Sequence, residues 1–199
     1  MEIEIEQECI KIDKQLNSLD RFVIDFSEIL NKLNIKYVFV SGYVSIIFGR
    51  NRSSEDIDLI IEKIDLQKFS ALWNELVKKF ECIITEDKKN AYEEYLLNNH
   101  SIRFSEKGKF VPNMEVKFPK TELDLWSLKN SVKTFLNNNL IFISKIELQI
   151  PFKLFLGSDK DFEDAKFLYE IFKEKIDNNL LNEFNEKLKT KQIFTKICR

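Results

Sequence analysis

Two carboxylates two residues apart, in the run Asp56-Ile57-Asp58-Leu59-Ile60-Ile61, carry the clearest chemical potential in this chain. Side chains alternate between the two faces of a strand. If residues 56–62 form a strand, Ile57, Leu59 and Ile61 line a face that can be buried, and Asp56 and Asp58 project together from the other. Two carboxylates held side by side repel each other. A divalent cation removes that repulsion, and hard oxygen ligands suit Mg²⁺ or Mn²⁺. The same pattern can also be the solvated face of a strand end, so context decides. Just upstream, Phe39-Val40-Ser41-Gly42-Tyr43-Val44 reads as a buried strand stopped by Ser41-Gly42 and followed by a short helix. Gly42 has no Cβ, which lets backbone approach a ligand closely. The N–H groups that open a helix hold phosphate oxygens. Phosphate on one side and a metal-binding carboxylate pair on the other is the equipment of phosphoryl transfer.

Gly42-Tyr43, a spacer of a dozen residues, then Asp56-Ile57-Asp58-Leu59 resembles the hallmark of the nucleotidyltransferase superfamily with the DNA polymerase β-type fold. That hallmark is a G-[GS] pair, a short helix, then [DE]-h-[DE]-h on the next strand; Tyr43 departs from it, standing where Gly or Ser is usual. The resemblance implies an α+β fold, a mixed sheet flanked by helices, with a nucleoside triphosphate as substrate and Mg²⁺ (or Mn²⁺) held by Asp56 and Asp58. It also implies a third carboxylate on a later strand. Glu115 is the candidate, because Met114, Val116 and Phe118 alternate toward the core and turn Glu115 and Lys117 the other way; those two also read as an ordinary exposed charge pair. Ser41, Gly42 and Tyr43 would meet the nucleotide. Arg50 and Arg52 precede the carboxylate strand and could grip phosphates or an RNA backbone, or be solvated loop residues.

A second resemblance lies further on. Lys153, then Lys160-Asp161-Phe162-Glu163-Asp164, is similar to the K…[KR]-D-x-x-D pattern of the nucleotidyltransferase-like toxins of type IV toxin–antitoxin systems and their prokaryotic relatives. It implies that Lys153 faces the cleft and neutralises triphosphate charge, with Lys160 beside it, Asp161 and Asp164 in support, and an antitoxin-type partner. Locally, Asp161 also reads as a helix-capping residue and Lys160–Asp164 as an i,i+4 surface pair. The reaction implied is transfer of a nucleoside monophosphate to a hydroxyl of RNA or tRNA, protein or a small molecule, with release of pyrophosphate. The competing reading is a non-catalytic nucleotide-binding or toxin–antitoxin regulatory module on the same fold.

The elements that must position these residues are legible in the periodicity. Leu19, Phe22, Val23, Phe26, Ile29, Leu30 and Leu33 recur at helical spacing behind Ser18 as N-cap, and a second such helix runs from Leu66 to Phe80 behind Asp65. Residues 36–41 and 56–62 are predicted to be adjacent strands. Further strands are predicted at 82–85, 101–106 and 111–118, with a short helix at 90–99 and a hairpin over 131–143. Residues 1–17 fit either an edge strand or a frayed helix start. From about residue 144 the pattern is helical: a short helix at 151–156 with Pro151 in its first turn, one capped by Ser158, and one over 178–190. The spacing predicts an α/β core over 1–143 and a helical region over 144–199 packed on it.

Composition narrows the function classes. The chain has 199 residues, 44% hydrophobic and 32% charged, which is globular composition. A net charge of −2 gives no global basic excess, so any nucleic-acid contact must be local. The single His (His100) excludes paired-His metal motifs, and the four Gly cannot supply a Rossmann or P-loop phosphate cradle. Cys9, Cys82 and Cys198 are too few for a four-cysteine zinc site and suggest a reducing compartment. No apolar run is long enough to span a membrane, and the acidic start MEIEIEQE is no signal peptide, so a cytoplasmic location is expected.

Overall fold

Alternating acid and isoleucine side chains make Glu2–Ile5 strand β1, and β2 (Cys9–Asp13) returns antiparallel to it, so the ambiguous start of the chain is a hairpin rather than a helix. The computed structural model describes residues 1–6, 9–52 and 54–198; Arg199, part of a Lys-rich end that reads as a solvated helix face, lies outside the described residues. Helix α1 (Ser18–Lys32) follows. Its N-cap is Asn17 rather than Ser18, because Asn17 and Asp20 form a reciprocal capping box: each side chain accepts from the other's backbone N–H. Strand β3 (Tyr37–Phe39), helix α2 (Gly42–Ile47) and strand β4 (Asp56–Ile61) come next, and then α3 (Leu66–Lys79), capped by Asp65.

Strand β5 (Phe80–Cys82) starts two residues earlier than periodicity suggests. A short α4 (Lys88–Asn90) runs on as a π-helical turn over Ala91–Leu96. Strands β6 (Ile102–Glu106) and β7 (Asn113–Lys117) lead to α5 (Glu122–Lys129), which sequence reading missed. That helix buries little more than Ser127, so it carries no clear apolar stripe. A hairpin of β8 (Val132–Leu136) and β9 (Asn139–Ile143) precedes the helices α6 (Ile146–Leu156), α7 (Asp159–Phe172), α8 (Asn178–Lys187) and α9 (Lys191–Ile197). Pro151 lies inside α6, not in its first turn, so it withholds the N–H that would meet the Glu147 carbonyl.

Among the described residues the strands form one mixed sheet in the order β1-β2-β8-β9-β3-β4-β7-β6-β5. Strand β4 lies inside it, antiparallel to β3 and parallel to β7. Ile57, Leu59 and Ile61 face a core shared with α1 and α3, where Phe22, Phe26, Phe80, Phe104 and Trp73 interlock. On the opposite face Val38, Val40 and Ile60 pack on Leu128 of α5. The main core runs on into the C-terminal helices through Ile150, Leu154, Ala165, Leu168, Leu181 and Phe194, so the helical end shares the core of the α/β part. No described helix is long and apolar enough to cross a membrane.

Phe26 is fully buried, with ring centroids 5.4 Å from Phe80 and 6.0 Å from Phe104. Phe26→Ala is expected to cost about 3–5 kcal/mol through the cavity it leaves. Phe110→Ala, at a 76% exposed position, should stay within about 0.5 kcal/mol of the parent. Urea unfolding of the two variants measures the contrast.

Candidate active site

Strand β4 holds the two aspartates as alternation requires. Ile57 and Leu59 are fully buried, Asp56 is exposed and Asp58 is half-buried on the opposite face. The parallel register with β7 sets Asp58 beside Glu115 and Asp56 beside Asn113. Across the next ladder Arg103 of β6 faces Glu115 and donates to Glu115 Oε2 from Nε at 3.1 Å and from Nη2 at 2.6 Å. Three neighbouring strands thus carry a row of Asp58, Glu115 and Arg103. Burial pushes the Asp58 carboxyl above its ordinary range, and the charges of Glu115 and Asp56 push it further, against the Lys117 ammonium and a hydrogen bond with the Ser41 side chain. Arg103 is held above its usual value by the hydrogen bond to Glu115, with the fields of Asp56 and Asp58 adding to it.

Among the described residues no group of three His, Cys, Asp or Glu side chains is placed to hold a metal. The expected three-carboxylate cluster is therefore not assembled: Glu115 shares the row but is bonded to Arg103. The remaining pair does fit Mg²⁺ in its donor chemistry. Two hard carboxylates share one strand face, and Mg²⁺ is commonly bound through one or two carboxylates together with substrate phosphates.

The turn before α2 differs from its sequence reading by one residue. The left-handed backbone falls on Ser41 (φ 62°, ψ −131°), and Gly42 is already the first residue of the helix. A side chain seldom tolerates that conformation; here the Ser41 N–H donates to Gln149 Oε1 at 3.1 Å and fixes the turn. Arg52 packs closely on Gly42: a Cβ there would lie 3.0 Å from Arg52 Nη2, so a larger residue would have to displace the guanidinium slightly. The Arg52 guanidinium covers the position expected to admit a ligand. Tyr43 requires a correction. Its side chain is fully buried and its hydroxyl donates to Asp20 Oδ1 at 3.2 Å, while Lys14 Nζ lies 2.9 Å from the same oxygen. Helix α2 packs its first turn inward, so this ring serves the core rather than a nucleotide.

The cations expected to meet triphosphate, Arg52 over the Gly42 turn included, are paired with carboxylates of α7. Lys153, only 1% exposed, donates to Asp161 Oδ1 at 2.8 Å and lies 3.0 Å from Asp164 Oδ2. Arg52 Nη1 reaches Asp164 Oδ2 at 2.5 Å, and Arg50 pairs with Glu163 and approaches Asp164 Oδ1 at 3.5 Å. Asp164 is fully buried, not the surface partner of Lys160 that spacing suggests; Lys160 itself is exposed. Lys153, expected to face the cleft, is thus buried and paired with two carboxylates of α7. Asp161 also closes the N-terminus of α7, where Ser158 accepts from its N–H. Burial alone would raise the Asp161 carboxyl, but the hydrogen bonds from Lys153 and Ser158 outweigh it and hold the group below its ordinary range. Arg50 Nε, Arg52 Nε and Asp164 Oδ1 are buried with no hydrogen-bond partner, so the cluster keeps polar capacity to spare.

Between the sheet and helices α5 and α6 lies a cavity of about 230 Å³. Ser41, Asp58 and Lys117 supply its polar floor, Gln149 and Asp124 its sides, and Val40, Ile60, Leu123, Phe152 and Leu156 its apolar walls. Gln149 and Arg103 were missed from sequence. Gln149 had a signal: it and Lys153 are the polar residues, four apart, in the otherwise apolar run 148–156. Arg103 had none short of knowing the register.

No family model and no curated protein matches this chain. Its structure does resemble solved ones. An antigenic nucleotidyltransferase-like protein from Paracoccidioides brasiliensis aligns with a TM-score of 0.55 at 16% identity, over 89% of this chain and 91% of that one. ANT(2″)-Ia in complex with adenylyl-2″-tobramycin aligns with a TM-score of 0.52 at 11% identity, over 86% and 99%. JHP933 from Helicobacter pylori aligns with a TM-score of 0.50 at 16% identity, over 87% and 78%. This is the nucleotidyltransferase fold. On that fold, the β4 aspartates and the Ser41-Gly42 turn lie side by side, with Val40 N–H bonded to the Asp58 carbonyl at 3.1 Å.

Two outcomes follow from these charges. The raised Asp58 pKa means that, above the ordinary aspartate range, the folded state binds more protons than the unfolded one, so stability falls as pH rises through the window up to the folded value. Asp58→Asn should remove that loss and melt at or above wild type at pH 7 without metal, while the two proteins converge at acid pH; melting curves across pH 3–8 read this. Asp164→Ala should cost about 3–5 kcal/mol by urea unfolding, because it strands Lys153 and Arg52.

Proposed function

We propose that the protein is a metal-dependent nucleotidyltransferase that moves a nucleoside monophosphate from a nucleoside triphosphate to a hydroxyl acceptor and releases pyrophosphate. The observation that carries this is the placement of Asp56 and Asp58 on the open face of β4, directly beside the Ser41-Gly42 turn, on a nucleotidyltransferase fold. Mg²⁺ or Mn²⁺, held by Asp56 and Asp58, would supply charge neutralisation at the reacting phosphate. The chain's own part is positioning. The Ser41-Gly42 turn, held by Gln149, presents backbone to the triphosphate. Arg52, lying over that turn, would meet a phosphate there, with Arg50, paired to the same Asp164, extending the positive charge and the exposed Lys160 free to reach outer phosphates. Lys117 sits in the cavity with Asp58, where it offsets carboxylate charge. Apolar walls exclude water from the attacking hydroxyl.

For the acceptor, the hydroxyl of a small molecule, a protein or an RNA end all suit this chemistry. The cavity beside Asp58 is smaller than the 300–1,000 Å³ common for whole ligands, so it suits the end of an acceptor that extends into solvent. A second reading, a nucleotide-binding module without turnover and regulated by an antitoxin-type partner, draws on the engagement of Glu115 by Arg103 and of Lys153 by Asp161 and Asp164.

Incubation with each α-labelled nucleoside triphosphate and Mg²⁺, with RNA, protein or small-molecule fractions as acceptors, tests the reading. Label should pass to one fraction with pyrophosphate release. Asp56→Asn and Asp58→Asn should each lower transfer at least about 100-fold. Nucleotide binding without transfer to any fraction would favour the regulatory module.

A further inference from the structure

Arg103 was not among the residues expected at the site, yet it is the cation bonded directly to Glu115. Its guanidinium bonds one Glu115 oxygen through two nitrogens, and the charges of Asp56 and Asp58 reach it as well. The pair is not a loose surface contact. Glu115 retains 17% of its side-chain exposure and Arg103 42%, and both lie on interior strands whose register fixes them opposite each other. On the metal-dependent reading above, we infer that Arg103 is a positioning residue: a built-in counter-cation that holds Glu115 away from the Asp56–Asp58 pair and sets how tightly a divalent cation binds there.

Two aspartates and a glutamate on one face repel, and in the metal-free protein something must offset that repulsion. Arg103 does so for Glu115 and Lys117 for Asp58, while the fields of Asp56 and Asp58 reach Arg103 more weakly than that of Glu115. A divalent cation at Asp56 and Asp58 is therefore opposed by a resident positive charge, and while the pair stands Glu115 can offer it only Oε1, because Oε2 takes both Arg103 bonds. Removing the guanidinium makes the site more negative and frees Glu115, so metal binding should tighten. A pair that only braced the sheet would predict lower stability in the variant and no gain in metal affinity.

The test is Mn²⁺ binding, followed by electron paramagnetic resonance of the free ion, on the full chain without nucleotide at fixed ionic strength. Wild type, Arg103→Gln, Arg103→Lys, Asp58→Asn and the double variant Arg103→Gln/Glu115→Gln are compared, with Mn²⁺-dependent melting shifts alongside. Arg103→Gln should bind at least about fivefold tighter than wild type, a difference of about 1 kcal/mol. Arg103→Lys keeps the charge but not the planar fork and should fall between them. The double variant should lose most of the gain, because Arg103 acts through Glu115. Asp58→Asn should bind far more weakly than all of these. If Arg103→Gln does not fold, Arg103→Lys decides by its sign: tighter binding than wild type supports the role, and equal or weaker binding overturns it. Equal or weaker binding by a folded Arg103→Gln, with wild type still binding through Asp58, overturns the role of Arg103 alone. Absence of Mn²⁺ binding in every protein overturns the metal-dependent reading and the role of Arg103 with it.

Discussion

Strand β4 works under one constraint that the rest of the site depends on. It must bury Ile57, Leu59 and Ile61 completely on one face while turning Asp56 and Asp58 to the other. Pairing on both sides, antiparallel to β3 and parallel to β7, prevents the strand from slipping by one residue, which would drive the acids into the core. The cost is a half-buried Asp58 with Asp56 along its own strand and Glu115 across the ladder to β7, and its pKa, raised first by burial and then by those charges, is the sign of that cost. Groups kept in such a position are common where charge is used in binding or catalysis.

A second electrostatic arrangement ties the sheet to the C-terminal helices. Asp164 of α7 is fully buried, and three cations converge on it: Arg50 and Arg52 from the loop before β4, and Lys153 from α6. Counted with Asp161 and Glu163, the group has three positive and three negative charges. Balance of this kind limits the penalty of burial without making the group a source of stability. Its consequence is geometric. The loop carrying Arg52 over Gly42 is fixed by a helix that lies about a hundred residues away in the chain. The residues proposed to touch nucleotide and the helices that cover them are therefore held as one unit, and the continuous core beneath them agrees with this.

What the sequence made legible follows from what is local. The aspartate pair, the strand before it, helices α1 and α3 and the cap of α7 all rest on alternation, periodicity or a three-residue capping contact, and each stands close to where those patterns put it. What was hidden depends on contacts far apart in the chain. Arg103 meets Glu115 through strand register, Lys153 meets Asp164 through helix packing, and Tyr43 meets Asp20 through the way α2 is seated on α1. Motif spacing marked Lys153 and Asp164 as worth notice but could not say that they bond to each other. Helix α5 escaped notice because it lies on the outer face and buries too little to print a pattern.

A metal–nucleotide complex should bind at Asp56 and Asp58 of β4, beside the Ser41-Gly42 turn. Paramagnetic broadening tests this most directly. Mn²⁺ with a non-hydrolysable nucleoside triphosphate is titrated into ¹⁵N-labelled protein, and amide signals are followed along the chain. Signals of Ser41, Gly42 and residues 56–58 should broaden first, and Asp58→Asn should abolish the local effect. Broadening centred on the acidic edge strand at Glu2 and Glu4, or unchanged by Asp58→Asn, would contradict it.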